Sequence, residues 1–234
     1  MASQPIHLHP TADLAERVLL PGDPCRALLI AQAVLEEPRM FNHHRGLWGY
    51  TGAAADGELL TVQSTGMGGP SAAIVVEELI GLGAQRLVRV GTCGALVAGL
   101  ELGSLLVSER ALCRDGASRA LGAGETVEAD PELTGALAAA APGAATGTTV
   151  STDLFYDPDG ARQNDWVAAG ALAVEMEAAT VFAVAARHGV RAACLLAVSD
   201  TLVRGRERLD DESLARVGEE LGQVGAAALS LTGG

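Results

Sequence analysis

Three acidic residues near the ends of predicted strands could take part in chemistry on a sugar: Glu175, Glu177 and Asp200. Two carboxylates two residues apart cannot share a helix face, but one at a strand end and one at a helix start can flank a single pocket. Cleavage of a glycosidic bond passes through an oxocarbenium-like state, which needs anionic groups near the sugar and an acid at the leaving group. We therefore predict that Glu177 binds sugar hydroxyls and that Asp200 is the acid. The alternative is that these residues only cap a helix and end a strand.

Two arginines near predicted strand ends could bind an anion. Gly22 lets the backbone turn closely before a predicted helix, where backbone N–H groups and the Arg26 guanidinium could form an anion site. The alternative for Arg26 is a capped helix start with a solvated side chain. Arg89 lies within an apolar strand, and a buried arginine needs an anionic partner. That partner is either a structural carboxylate or a bound phosphate, oriented with help from the Thr92 hydroxyl.

Other motifs argue against a nucleotide cofactor and a metal. The segment 66–71, G-M-G-G-P-S, approximates a dinucleotide fingerprint, which requires an acidic residue about 20 positions further on. This sequence has Arg89 and Gly91 there, so a close approach of backbone to a ligand or a helix is the better interpretation. The five histidines show no metal-ligand spacing, and we predict no metal site.

Apolar strands that alternate with amphipathic helices must position these residues. The pattern predicts strands at 17–20, 86–90, 172–175 and 191–198, and a hairpin of 46–52 with 59–64 that turns at Asp56-Gly57. It predicts helices at 24–37, 70–82, 131–141, 160–169, 178–188 and 210–231, the first with Asp23 as N-cap and Pro24 at its first position. This is an α/β pattern, in which ligands bind at the carboxyl ends of strands.

The composition excludes several other functions. All 16 basic residues among the 234 are arginine, against 29 acidic residues, which gives a net charge of −13. The absence of lysine excludes a Schiff-base enzyme, a pyridoxal-phosphate anchor, a P-loop and a protein kinase. The net charge disfavours nucleic-acid partners and anionic membrane surfaces. We expect a single domain over residues 1–234, whose small apolar side chains let helices pack closely on a sheet.

The cysteines and the N-terminal segment predict a cytoplasmic protein. The four cysteines are scattered without C-x-x-C spacing, which argues against a zinc site and a disulfide framework. Residues 1–13 lack the basic start and the apolar core of a signal peptide. The longest uncharged stretch, 133–152, is rich in Ala, Gly and Thr and contains Pro142, so it is a poor membrane span.

Seven motifs taken together resemble, in order, those of the hexameric bacterial purine nucleoside phosphorylases. They are P-G-D-P-x-R, N-H-H-R-G, G-M-G-G-P-S, R-V-G-T-C-G, S-T-D-L-F-Y-D-P-D-G, V-E-M-E-A-A and V-S-D. The resemblance covers nearly the whole chain, from Pro5 to about Asp200, within a wider family that includes uridine phosphorylases and methylthioadenosine nucleosidases. It implies a mixed, twisted β-sheet flanked by helices and a homohexamer built as a trimer of dimers. The implied activity is reversible phosphorolysis of nucleosides to free base and ribose 1-phosphate.

The resemblance also assigns roles to individual residues, with no cofactor and with inorganic phosphate as co-substrate. The implied phosphate ligands are Gly22, Arg26, Arg89 and Thr92, with Arg45 from a neighbouring subunit. The implied ribose ligands are Met67, Met176 and Glu177, with His7 reaching the 5′-hydroxyl from the neighbour. The implied base contacts are Phe155, Val174, Glu175 and Ser199. Asp200 is the implied general acid toward N7 of a purine, assisted by an arginine of segment 201–211. Among Arg204, Arg206 and Arg208 we choose Arg208.

The same resemblance separates the candidate functions. Uridine phosphorylases carry a Gln and an Arg shortly after the F-Y pair, whereas this chain has D-P-D-G-A at 157–161, which favours a purine. Hydrolytic nucleosidases need no phosphate cluster, so Arg26, Arg45 and Arg89 count against them. The remaining alternatives are a uridine phosphorylase and a non-catalytic nucleoside-binding protein of the same fold. The three arginines also predict that positive charge is concentrated at the pocket.

Overall fold

One mixed sheet of eleven strands runs through residues 5–203 and 205–232, the part of the chain that the computed structural model describes. The strands are β1 (Arg17–Leu20), β2 (Glu36–Asn42), β3 (Gly49–Ala53), β4 (Leu59–Gln63), β5 (Arg86–Ala95), β6 (Leu105–Arg114), β7 (Thr126–Glu128), β8 (Ala145–Thr152), β9 (Ala171–Glu175), β10 (Arg191–Thr201) and β11 (Glu207–Arg208). Their order across the sheet is β11-β10-β6-β8-β9-β5-β1-β4-β3-β2, and β7 pairs with β6.

Strand β5 lies at the centre because it pairs with three neighbours. It runs parallel to β1 and β10 and antiparallel to β9. Together with the pairings of β5 to β9 and β10, the pairings β10–β6, β6–β8 and β8–β9 close a ring of five strands that includes β5, while β1, β4, β3 and β2 extend outward. The parallel register places Arg89 of β5 beside Leu20 of β1 and Cys194 of β10. The segments that follow these parallel strands therefore meet at one edge of the sheet.

Helices cover both faces of this sheet. They are α1 (Pro24–Val34), α2 (Gly69–Gly81), α3 (Gly116–Ala120), α4 (Pro131–Ala140), α5 (Arg162–Ala168), α6 (Ala178–His188) and α7 (Asp211–Leu231), with a short 3₁₀ turn at His44–Gly46. Four of them begin with an aspartate N-cap that accepts a hydrogen bond from a backbone N–H three residues later: α1 at Asp23, α3 at Asp115, α4 at Asp130 and α7 at Asp210. Such caps satisfy otherwise unpaired N–H groups of the first turn.

Alternate residues of β1 face different halves of the core. Val18 and Leu20 pack with α2 and α6, whereas Leu19 packs with α1, α4 and α7. Helix α7 approaches the sheet closely, since a Cβ at Gly225 would lie 2.8 Å from the Leu19 side chain. The small residues of the chain therefore bring helices near the sheet, as the composition predicted.

Most predicted elements are confirmed, but several boundaries were wrong, two of which have a clear physical reason. The first helix ends at Val34, not at 37, because Leu35 is extended and Pro38 disfavours helical backbone before it. The strand predicted at 86–90 continues to Ala95, because Gly91 to Cys93 pair with β10 and Gly94 pairs with β9. Thr92 therefore lies on a strand and not on a loop. None of the described helices is both long and apolar enough to cross a membrane.

Candidate active site

A cavity of about 620 Å³ opens where β1, β5, β9 and β10 end. Twelve of the fifteen predicted site residues line it: Gly22, Arg26, Met67, Arg89, Thr92, Phe155, Val174, Glu175, Met176, Glu177, Ser199 and Asp200. The other three, His7, Arg45 and Arg208, do not. The sheet thus gathers into one cavity residues that are up to 178 positions apart in sequence, Gly22 and Asp200 being the extremes.

Arg89 lies on the floor of the cavity between two carboxylates. Its side chain is 4% exposed; Nε donates to Glu175 Oε2 at 2.9 Å and Nη2 pairs with Glu177 Oε2 at 2.5 Å. Burial alone would lower the pKa of Arg89, but the charges of Glu177 and Glu175 outweigh burial and hold this pKa above its ordinary value. The buried arginine therefore has the anionic partners that its position in β5 requires.

One nitrogen of the Arg89 guanidinium remains free. Nη1 is buried and has no hydrogen-bond partner among residues 5–203 and 205–232. Gly91 keeps the adjacent space open, because a Cβ there would lie 2.9 Å from Nη2 and 3.2 Å from Nη1. Buried donors in proteins are nearly always paired, so an unpaired charged donor beside a cavity is a position for an acceptor.

The start of α1 lies at the same end of the cavity. Asp23 accepts a hydrogen bond from the backbone N–H of Arg26 at 2.7 Å, which fixes the first turn. Burial lowers the pKa of Arg26, the charge of Asp23 opposes this effect, and the charge of Arg89 lowers the pKa further. Two arginines that repel each other across a pocket favour an anion between them. Gly22 and Thr92 complete this part of the wall.

Glu175 organises the floor and does not present its side chain to a ligand. Its carboxylate accepts hydrogen bonds from Arg89 Nε, from the backbone N–H groups of Glu177 and Ala178, and from Ser151 Oγ. The side chain is 0% exposed. The side chain therefore holds Arg89 and caps α6, and the expected contact of Glu175 with a base stays a prediction for a residue that lines the cavity.

Glu177 is the carboxylate that joins the cavity floor to residues 66–69, which we call the glycine loop. Its Oε1 accepts from the backbone N–H of Gly68 and its Oε2 binds Arg89. Burial raises the pKa of Glu177, Arg89 opposes that rise, and Glu175 adds to it. Gly68 adopts a φ of +83°, which L side chains rarely adopt, so the glycine loop can approach this carboxylate. Met67 and Met176 lie next to these two residues and line the cavity.

Asp200 lies at the end of β10, held from two sides. Arg206 binds its Oδ1 through Nε and Nη2, both at 2.9 Å, and Ser199 Oγ donates to Oδ2 at 3.0 Å. The choice of Arg208 is corrected by this geometry: Arg208 pairs with Asp200 only as a backbone neighbour in β11, and its side chain is exposed. Arg204, also considered from the sequence, lies outside the described residues.

The remaining wall of the cavity is apolar and aromatic. Phe155, Trp166, Val174 and Leu202 line it, and Trp166 belongs to an apolar cluster against which Val174 and Leu202 pack. At Gly94 a Cβ would lie 3.2 Å from Leu202, 3.3 Å from Asp200 Oδ1 and 3.4 Å from Val174. The missing side chain therefore keeps an apolar slot open directly beside the Asp200 carboxylate.

Several wall residues were not identified from the sequence. Trp166 and Gln163 lie on α5, and the sequence predicted that helix without indicating which face meets the cavity. Arg206 also stacks its guanidinium on the Phe155 ring, 4.2 Å from the ring centre. A cation over an aromatic face is attractive, so Arg206 links the acid to the aromatic wall.

His7 and Arg45 lie outside the cavity of their own chain. The His7 ring is anchored to Glu78 of α2, with Nδ1 and Oε1 2.7 Å apart. Arg45 is exposed in the 3₁₀ turn and has a φ of +59°, in the left-handed region that non-glycine residues rarely occupy. Backbone outliers of this kind are concentrated at functional sites.

The expected concentration of positive charge at the cavity is wrong for the described chain. Three arginines line the cavity together with five carboxylates: Arg26, Arg89, Arg206, Asp23, Asp157, Glu175, Glu177 and Asp200. The carboxylates neutralise most of the arginine charge through direct pairs, so what remains for an anion is local, at Arg26 and at Nη1 of Arg89. The described residues contain no group of three or more His, Cys, Asp or Glu side chains arranged to hold a metal ion.

A family model described as the phosphorylase superfamily matches residues 16–230. The chain belongs to this superfamily. The family that the seven motifs indicated is thereby confirmed, together with its α/β fold. A solved structure of uridine phosphorylase from Vibrio fischeri ES114, in complex with 6-hydroxy-1-naphthoic acid, is similar to this fold. Its TM-score is 0.84 at 25% sequence identity, over 94% of this chain and 93% of that chain.

Curated relatives of this superfamily member are more similar in sequence. A guanosine phosphorylase of Halorubrum lacusprofundi is 40% identical over 223 residues, which cover 91% of this chain and 90% of that protein. A DeoD-type purine nucleoside phosphorylase of Geobacillus kaustophilus is 39% identical over 209 residues, 86% of this chain and 88% of that protein. Another of this type, from Caldanaerobacter subterraneus subsp. tengcongensis, is 37% identical over 86% of this chain and 89% of that protein.

Proposed function

We propose that the chain catalyses the reversible phosphorolysis of purine nucleosides to free base and ribose 1-phosphate. The observation that carries this proposal is the unpaired Nη1 of Arg89, which lies in the same cavity as Glu177 and Asp200. This reaction needs three groups: a donor that binds an anion, a carboxylate that binds sugar hydroxyls, and an acid that protonates the leaving group. The relatives named as purine nucleoside and guanosine phosphorylases support the same activity.

Phosphate is the nucleophile and the co-substrate in this proposal. Arg89 and Arg26 bind its oxygens, with the Gly22 backbone and the Thr92 hydroxyl completing the ligand set, because guanidinium groups match the geometry of phosphate. Arg45 of a neighbouring subunit supplies a further positive charge. A phosphate oxygen attacks C1′ of the ribose while the bond from C1′ to N9 breaks and its electron pair moves into the purine.

Glu177 stabilises the sugar as positive charge develops on it. Its carboxylate accepts hydrogen bonds from ribose hydroxyls, and its negative charge favours the oxocarbenium-like transition state. Met67 and Met176 pack against the ribose, and His7 of a neighbouring subunit binds the 5′-hydroxyl. Because Arg89 contacts Glu177 directly, one guanidinium would align the phosphate with the sugar.

Asp200 is the general acid for the leaving purine. It transfers a proton from Oδ2, the oxygen that Arg206 does not bind, to N7 of the base as the glycosidic bond breaks. Arg206 then stabilises the carboxylate that remains. The base is surrounded by Phe155, Val174, Trp166 and Ser199. Glu175 supports this wall because its side chain holds Arg89 and caps α6.

Uridine phosphorolysis is the second candidate, because one observation favours it. Gln163 lines the cavity, and its amide could both donate a hydrogen bond to the edge of a uracil ring and accept one from it. Asp200 favours the purine, since N7 must gain a proton and uracil has no corresponding atom. The apolar slot at Gly94, beside the Asp200 carboxylate, suits a purine ring next to its acid.

The same proposal includes a homohexamer, built as a trimer of dimers, in the cytoplasm. Its support is that His7 and Arg45 do not line the cavity of their own chain, so the ligand roles that the resemblance implies for them require a neighbour's cavity. All four cysteines are free thiols, which suits a reducing compartment.

The test is a matrix of inosine, guanosine, adenosine and uridine, each with and without phosphate, in which free base and sugar phosphate are measured. Purine release that requires phosphate supports the proposal. Release without phosphate would indicate a nucleosidase, faster cleavage of uridine would indicate the second candidate, and binding without turnover would indicate a nucleoside-binding protein.

A further inference from the structure

A single carboxylate, that of Glu78 on α2, holds the segment around His7. The backbone N–H groups of Ile6, His7 and Leu8 donate to it at 3.0, 3.0 and 2.7 Å, and His7 Nδ1 lies 2.7 Å from Oε1. Burial raises the pKa of Glu78, but these hydrogen bonds outweigh burial, so that the pKa lies below its ordinary value. Glu78 is therefore ionised at neutral pH.

This contact determines which nitrogen of His7 carries the proton. An ionised carboxylate can only accept hydrogen bonds, so the Nδ1 atom of His7 must be the donor. In a neutral imidazole the other nitrogen, Nε2, is then an acceptor. Nε2 has no partner among residues 5–203 and 205–232, and the His7 side chain is 29% exposed. A neutral His7 thus presents an acceptor to its surroundings.

His7 and Arg45 belong to one surface, which we call the histidine patch and define as His7, His9, His44 and Arg45. His44 Nδ1 lies 3.0 Å from the carbonyl oxygen of His7, and the rings of His9 and His44 stack with centres 3.8 Å apart. Arg45 follows His44 directly in the 3₁₀ turn. The two residues proposed to serve a neighbouring cavity therefore lie together, although they are 38 positions apart in the chain.

We infer that Glu78 is a positioning residue, which directs Nε2 of His7 as an acceptor for the ribose 5′-hydroxyl in the cavity of a second copy of this chain. The inference rests on the proposed function. Glu78 lies ten residues from Gly68, the N-cap of α2, whose backbone N–H binds the cavity residue Glu177; this is a distance of about 15 Å at 1.5 Å per residue. His7 therefore acts on a cavity other than its own, and Glu78 acts through His7 without touching the substrate.

The test compares a nucleoside with its 5′-deoxy analogue in the full-length enzyme, with phosphate. The nucleoside is inosine or adenosine, whichever the parent enzyme cleaves faster. Glu78→Gln can still accept from the backbone N–H groups, but it can also donate to Nδ1, which leaves the proton on Nε2. We expect kcat/KM for the nucleoside to fall about tenfold, the usual effect of losing a hydrogen bond to a charged group, and kcat/KM for the 5′-deoxy analogue to change less than about twofold.

Two further variants separate positioning from a general structural effect. Glu77→Gln is the matched control: Glu77 is the preceding residue of α2, pairs with His188 at the surface, and its change should leave both substrates unaffected. His7→Ala should reproduce the selective loss of Glu78→Gln, and the double variant should be no worse than His7→Ala alone.

The outcomes distinguish this inference from the proposed function. Equal losses on both substrates in Glu78→Gln, or no loss on either, would overturn the positioning role. A parent enzyme that cleaves the nucleoside and its 5′-deoxy analogue equally well would overturn it too, while the proposed phosphorolysis would stand. If the parent released no base from inosine, adenosine or guanosine with phosphate, the proposed function itself would be wrong.

Discussion

Two buried arginines have different surroundings, although they lie at opposite ends of the stretch in which β1 pairs with β5. Arg17 begins β1, opposite Arg86, whereas Arg89 lies three positions further along β5, opposite Leu20. Arg17 uses every nitrogen: Nε donates to the Leu59 carbonyl, Nη1 to Asp56 and Ser230, and Nη2 to Asp56 and the Glu58 carbonyl. Arg89 has two carboxylate partners, but its Nη1 is unpaired within the described chain.

The difference separates a structural cluster from the proposed binding site. The Arg17 cluster joins β1, the β3–β4 turn and the end of α7, and all its donors are used within the protein. The Arg89 cluster lies at the carboxyl ends of the parallel strands, where α/β proteins bind ligands, and keeps one donor for a ligand. Both arginines are buried and ion-paired, so the unpaired donor and the end of the sheet distinguish the two clusters.

The largest effect that separates the two regions is expected from Asp200→Ala. Removing the acid should lower kcat for purine nucleosides by about 10²- to 10⁴-fold, the usual contribution of a positioned proton donor. The melting temperature should stay close to that of the parent, because Asp200 serves the cavity. Steady-state kinetics and thermal unfolding measure both, and turnover at the parent rate would remove Asp200 from the mechanism.

Asp56→Ala should produce the opposite result at the other end of the sheet. It leaves Arg17, whose side chain is 5% exposed, without the carboxylate of the surface residue Asp56, and a buried donor left without its partner costs about 1–3 kcal/mol. Denaturant unfolding should therefore show a lower free energy of unfolding. The kcat of the folded fraction should match the parent, and a selective loss of kcat would mean that the two regions are coupled.

Arg206→Ala should have a smaller effect than Asp200→Ala within the same site. It removes a charged hydrogen-bond partner of Asp200, and we expect kcat to fall about tenfold. Arg208→Ala is the control, since the Arg208 side chain is exposed and does not contact the carboxylate in the structure. A larger loss in Arg208→Ala than in Arg206→Ala would contradict this assignment.

The smallest effect concerns acid stability. Hydrogen bonds from Arg17 hold the pKa of Asp56 well below its usual range, despite the opposing effect of burial. A carboxylate with a lowered pKa contributes stability above its unfolded pKa of about 3.9 and loses it progressively below that value, by up to about 1.4 kcal/mol per pH unit. Between pH 5 and pH 2, the stability of Asp56→Asn should therefore fall less steeply than that of the parent. Parallel curves would show that this carboxylate does not titrate as described.

Much of the fold follows from local signals in the sequence. Asp23-Pro24, Asp130-Pro131 and Asp210 mark helix starts that the structure confirms, because caps and first-turn prolines act within a few residues. Strand endings are harder to predict, since Gly91 to Cys93 pair with β10, a strand about one hundred residues later. The motifs likewise indicated most residues of the cavity.

The remaining errors in the site depend on which way a side chain faces. The sequence could not show that Glu175 is directed inward, because its partner Ser151 comes from β8 and its partner Arg89 from β5. Nor could it rank Arg206 over Arg208, which are two residues apart on the same segment, because the bend before β11 decides which guanidinium reaches Asp200. The direction of the Glu175 side chain and the choice between the two arginines both depend on tertiary contacts, which the spacing of residues in the sequence does not show.

The central claim is that the free donor of Arg89 helps to bind a phosphate that attacks the sugar. The most direct measurement follows the sugar product of inosine cleavage by the parent enzyme as phosphate is titrated from zero. We predict no base release without phosphate, and ribose 1-phosphate equimolar with hypoxanthine once phosphate is present. Free ribose as the product, formed at a rate independent of phosphate, would contradict the account.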